Sequence, residues 1–201
     1  MKKKFALYLS LLGVASSILV ACSQSKSQEG PKVISGNTHE QYTQDQVRRG
    51  DYLVTIMGCN DCHSSKRFGP KGPVPDPQRL LSGHPADLAL EKVDTTLIGR
   101  WVLFNQHNTA TVGPWGVSFA ANLTPDPTGI GSWTEEQFFR AMREGKAKGI
   151  ANNRDILPPM PWPMFSKLED EDLKAIFAYL KSIPPVENVV PAPMRLKDIS
   201  K

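Results

Sequence analysis

Two of the chain's three cysteines stand three positions apart in GCNDCHSSKRFGP, residues 58–70, with His63 directly after the second. Three chemistries use that spacing: a thiol–disulfide couple, half of a zinc site, or covalent attachment of a haem. A structural zinc site takes four ligands, commonly two Cys pairs or a Cys pair with two spaced histidines. The other histidines inside the folded region, His84 and His107, stand at the wrong spacings for that. A thiol-exchange motif follows a strand in a βαβ pattern, whereas here a helical pattern precedes the motif and no strand–helix alternation is legible. The haem reading uses every residue. Cys59 and Cys62 form thioethers to the two vinyl groups, and His63, placed by the second attachment, becomes the proximal iron ligand. A single such motif implies one covalent haem c.

A second axial ligand must then come from elsewhere, and a Met/His pair suits electron transfer because it raises the reduction potential. Met57 is too near the motif to reach the opposite haem face, Met142 follows Phe138 by four residues as a core position does, and Met194 lies in the tail. Met160 and Met164 remain, both in ILPPMPWPMFSKL. Pro158, Pro159, Pro161 and Pro163 fix four φ angles there and restrict their neighbours. A stiff loop lowers the entropy lost when a weak thioether ligand binds.

Three helices are expected to carry these groups. The first covers about Gln44 to Met57, with Thr43 as N-cap and Gln46 as its capping-box partner. Gly50 inside it costs about 1 kcal/mol against Ala, which the close approach of another helix would offset. A middle helix covers about Glu135 to Glu144, capped by Thr134 and Gln137 and ended by Gly145. The last starts near Lys167, with Ser166 and Glu169 as a capping box. It shows Leu173, Ile176, Phe177 and Leu180 as one apolar stripe, acids in its first turns, and Pro184 and Pro185 as its stop. The stretch of about 70 residues between the motif and the middle helix is rich in Pro and Gly. Within it Trp101, Leu103, Val117 and Phe119 suit a short hairpin. His39, His84 and His107 read as loop residues, and Trp115, Trp133 and Trp162 suit either a haem wall or core packing.

The remaining composition sets the surroundings. MKKK, an apolar run and the small residues before Cys22 read as a secretory signal over residues 1–21. Leu19, Val20, Ala21 and Cys22 resemble a bacterial lipobox, which implies cleavage before Cys22 and a diacylglyceryl group on its sulfur. Residues 22–40 then form a lipidated, flexible tether, whose sixteen-residue polar part has a root-mean-square span of roughly 22 Å. Residues 41–201 form the folded domain with its tail. The whole chain carries 24 Lys and Arg against 20 Asp and Glu; losing three signal lysines and no acid lowers the formal charge from +4 to +1. The basic balance therefore belongs to the signal, and no cluster remains to follow a nucleic-acid backbone.

RGDYLVTIMGCNDCH, NLTPDPTGIGSWTEEQFFRAMREGK and LPPMPWPMFSKLEDEDLKAIFAYLKSIPPVENVVP together resemble class I cytochromes c. More narrowly, they resemble the cytochrome c subunits of periplasmic alcohol, aldehyde and gluconate dehydrogenases, over roughly Val47 to Pro191. The resemblance implies a mainly α fold of the class I cytochrome c type, with a long Pro/Gly-rich insertion that has room for a short β-hairpin. It implies first and last helices that cross closely at Gly50, opposite Phe177 to Leu180. It places the ligand methionine in a Pro-x-Met-Pro-aromatic segment, here Met160 with Trp162 as the aromatic, with Met164 the alternative. It also implies an electron carrier rather than an enzyme, and the lipobox adds a lipid anchor at a bacterial cell envelope. The implied partners are redox proteins: a dehydrogenase, a terminal oxidase or another cytochrome. Those subunits often carry several haem motifs and this chain has one. The rival readings are a haem sensor or peroxidase-like enzyme with a labile sixth ligand, and a thiol oxidoreductase without haem.

Overall fold

The computed structural model describes residues 33–34 and 42–199. The expected signal, Cys22 and most of the tether lie outside them. In chain order the elements are β1 (Val33–Ile34), β2 (Tyr42–Thr43), α1 (Gln44–Ile56), α2 (Cys59–His63), β3 (Lys66–Gly69), β4 (Gly72–Pro75), β5 (Leu103–Phe104), β6 (Ala110–Gly113), β7 (Gly116–Phe119), α3 (Glu135–Glu144), α4 (Trp162–Phe165), α5 (Asp170–Ser182) and α6 (Leu196–Ile199). Two short 3-10 turns, Thr95–Leu97 and Ala147–Gly149, complete them.

The frame is the packing of α1 on α5. Thr43 caps α1 as expected: its hydroxyl accepts from the Gln46 N–H at 3.2 Å, and the Gln46 side chain accepts from the Thr43 N–H at 2.9 Å. On α5 the expected stripe is buried, and Phe177 meets Tyr42 edge-on and stacks on Phe138 of α3. Gly50 is where the two helices touch. A Cβ there would lie 2.0 Å from the Ala175 carbonyl oxygen and 2.6 Å from the Tyr179 Cβ. The close crossing is thus present, at Ala175 and at Tyr179 within the expected Phe177 to Leu180 face. Gly50→Ala gains helix propensity but overpacks a backbone contact, for a net loss of about 2 kcal/mol. Its midpoint in a thermal melt should fall by roughly 4–8 °C; an unchanged melt would show that the helices can part at no cost.

The start of the last helix differs from expectation. It begins at Asp170 with Glu169 as N-cap, and Glu169 makes no side-chain capping bond. Ser166 instead ends α4, where its hydroxyl donates to the Pro163 carbonyl at 2.9 Å. The proline-rich segment has its own short helical turn, and that turn takes the serine.

The mainly α expectation is also corrected. Among the described residues helix accounts for 35% and strand for 16%, and their strands form three small antiparallel sheets, β1–β2, β3–β4 and β5–β6–β7. The hairpin expected around Leu103 and Val117 is a three-stranded sheet, with Leu103 opposite Val112 and Val112 opposite Val117. A second hairpin, β3–β4, follows the cysteine motif directly. The physical reason is legible in the sheet's burial. All of β6 and the first three residues of β7 are buried, so no polar–apolar alternation marks them. Prolines and glycines on either side forbid helix and leave short strands as the way to satisfy buried backbone groups.

Candidate functional site

Cys59, Cys62 and His63 share the single short helix α2. Gly58 precedes it in the left-handed region at φ 68°, a conformation that favours glycine and lets the chain turn out of α1 within two residues. Both thiols are free. Burial pushes Cys59 up to about 11 and raises Cys62 as well. That is opposite to the depressed thiol of an exchange motif, in which the thiolate is the nucleophile.

His63 is held through one ring nitrogen. Its Nδ1 lies 2.8 Å from the Ala121 carbonyl oxygen. A carbonyl only accepts, so Nδ1 carries the proton and the neutral ring presents a lone pair at Nε2. Nε2 has no hydrogen-bond partner among the described residues. Burial, the dominant influence, lowers the imidazole pKa and keeps the ring neutral. The chain at and just after His63 is fixed: the His63 carbonyl accepts from the Gly83 N–H at 2.7 Å, and the buried Ser64 hydroxyl accepts from the Leu81 N–H at 2.8 Å. Gly83, at φ 81°, leaves no room for a Cβ, which would fall 2.5 Å from the Ala120 carbonyl oxygen. The segment 81–84 therefore lies against the strand leaving β7, which also supplies Ala121.

Met160 and Met164 separate. Met160 is half-buried and, like Cys59, borders the hydrophobic cluster of Phe138, Phe177 and Leu180. Met164 lies on α4 and is 72% exposed. The Met160 segment is tied down at both ends. Before it, the Ser118 hydroxyl of β7 donates to the Pro158 carbonyl at 2.6 Å, and the Ile156 N–H donates to the Gly145 carbonyl at 2.6 Å. After it, the Trp162 indole covers Gly145, where a Cβ would meet it at 2.3 Å, and Arg143 donates to the Ser166 carbonyl. Gly145 thus ends α3 at φ 65° and also seats Trp162.

Several supports had no side-chain signal, or a faint one. Ala121 acts through its carbonyl. Asn122 joins three segments: its Nδ2 donates to the Val186 carbonyl at 2.8 Å and to Thr128 Oγ1 at 3.2 Å, while its Oδ1 accepts from the Thr124 N–H at 2.9 Å. Asn188 donates to the Ser82 and His84 carbonyls at 2.7 and 2.9 Å, fastening the tail after α5 to the loop that touches His63. His84 sits on a loop as expected but is buried, its ring between Thr109 Oγ1 and the Leu88 carbonyl. Trp133 borders the core; Trp115 lies on Gly113 and its Nε1 donates to Ser118 Oγ at 3.3 Å.

The residues present fit a covalently held haem. Two neutral thiols lie one helical turn apart, and the imidazole beside them has its metal-binding nitrogen free and its other nitrogen fixed by a carbonyl, the usual arrangement of a metal-bound histidine.

Known proteins bear on the same class. No family model matches the chain. The chain is 30% identical over 70% of its length to the fructose dehydrogenase cytochrome subunit of Gluconobacter japonicus. It is 29% identical over 70% to the cytochrome c subunit of a quinone alcohol dehydrogenase from Gluconobacter oxydans. It is 30% identical over 75% to the gluconate 2-dehydrogenase cytochrome c subunit of Pantoea cypripedii. The chain is thus a homologue of dehydrogenase cytochrome c subunits, in agreement with the resemblance in its sequence. It spans only 22–27% of the length of these three relatives.

Proposed function

We propose that the chain is a single-electron carrier holding one haem c, bound through Cys59 and Cys62 and ligated by His63 and Met160. The observation that carries this is His63, turned by the Ala121 carbonyl so that Nε2 is free, on the helix that bears both cysteines. A bound haem c supplies a ferric–ferrous couple that takes up and gives back one electron. The protein's part is to keep that change small. His63 is fixed by the Ala121 carbonyl on its ring and by the Gly83 N–H on its backbone, and the Met160 segment is fixed by Ser118, Gly145 and Trp162. Held still in this way, His63 and Met160 would keep reorganisation low, and the Met160 thioether would keep small molecules off the iron. By analogy with its relatives, the donor is a dehydrogenase. The lipobox-like residues 19–22 would place a lipid on Cys22 and hold the domain at the cell envelope.

Protein purified from membranes tests this reading. Acid–acetone should leave the haem attached, and the spectrum should be low-spin with a methionine-sulfur charge-transfer band. Cys22→Ser should move the protein to the soluble fraction or stall its processing. Haem extracted by acid–acetone would end the c-type assignment, and rapid carbon monoxide binding by the ferrous protein would favour a sensor or enzyme.

A further inference from the structure

Lys66 stands three residues after His63, and its side chain turns back under the cysteine helix. Its Nζ donates to the carbonyls of Asn60 at 3.2 Å, Asp61 at 2.9 Å and Ser64, and across to that of His107 at 3.2 Å. Its backbone N–H donates to His107 Nδ1 at 3.0 Å. Three N–H groups are shared among four carbonyl oxygens, and none of those partners is a carboxylate. Asn60 and Asp61 lie in α2, whose last carbonyls have no partner within the helix. A cation there satisfies them and is favoured by the helix dipole. His107 belongs to the turn between β5 and β6, so the same ammonium fastens that sheet to the cysteine motif.

The neighbouring cation differs. Arg67 is exposed and paired with Asp76 at 3.1 Å. Of the two, Lys66 has its ammonium directed into the motif; the Asp61 carboxylate is close enough for its charge to be felt, but the bonds from Nζ go to backbone carbonyls.

We propose that Lys66 is a positioning residue that seats the cysteine helix and, through its fixed charge, raises the reduction potential of the haem bound there. The inference rests on the haem reading above. A positive charge near the iron disfavours the ferric form, which carries one more positive charge than the ferrous form, and the effect is strongest where solvent screening is weak.

The test is a redox titration of the full, haem-loaded chain beside Lys66→Met, Lys66→Gln and Lys66→Arg, each first checked for covalent haem on a denaturing gel. At a fixed solution potential the neutral variants should show a ferrous-to-ferric ratio about tenfold below wild type, a downward shift of about 59 mV for one electron. Lys66→Arg should stay within about threefold of wild type, because it keeps the charge. Neutral variants that fail to acquire haem while Lys66→Arg succeeds would show the seating role directly. An unchanged midpoint in the neutral variants, an equal fall in Lys66→Arg, or haem loss in all three would overturn the proposal. Wild-type protein without covalent haem would instead remove the haem reading itself.

Discussion

Replacing both Cys59 and Cys62 by Ala should yield a chain that carries no haem through denaturation. The two thiols are the only ones on α2, and each would form one thioether. Each single variant should retain one possible attachment and a sharply reduced yield. The two substitutions by themselves remove little packing, so any large loss of stability would come from the missing haem. Cys59 only borders the core, and removing a small, partly buried group costs about 1 kcal/mol. Haem staining on a denaturing gel reads the outcome, with circular dichroism as the check on folding. Covalent haem in the double variant would place the attachment elsewhere and end the assignment.

Met160→Ala should open the sixth position. The ferrous protein should then bind carbon monoxide quickly, the methionine-sulfur band should vanish, and the potential should fall, because Met/His ligation lies at the oxidising end. Met164→Ala should do none of this. Its side chain is 72% exposed, so its removal should change stability by no more than about 0.5 kcal/mol. The sequence left the two methionines open on residue grounds, since both stand between prolines. A spectrum lost in Met164→Ala and kept in Met160→Ala would exchange their roles.

The features legible in the chain alone are local. The spacing of Cys59, Cys62 and His63 states a chemistry because those three groups need only one turn of helix to come together. Thr43 with Gln46, and Thr134 with Gln137, announce two helix starts because a capping box closes within four residues. The stripe on α5 is legible because one face of that helix is buried and the other is not.

Tertiary structure decided the rest. The strands of β6 and β7 carry no alternation because burial on both faces removes it. Ser166 reads as the cap of α5 until the fold shows that α4 claims it. The orientation of His63 comes from a backbone carbonyl 58 residues away, and a backbone carbonyl has no residue type by which a sequence could reveal it. Gly50 lies between the two cases. The sequence shows a glycine that weakens its helix, and only the Ala175 carbonyl, 2.0 Å from where a Cβ would stand, shows why no larger residue fits. The cation of Lys66 is equally mute in sequence. Lysine after a helix is ordinary, and its four carbonyl partners are brought together only when the β5–β6 turn folds back onto the cysteine motif.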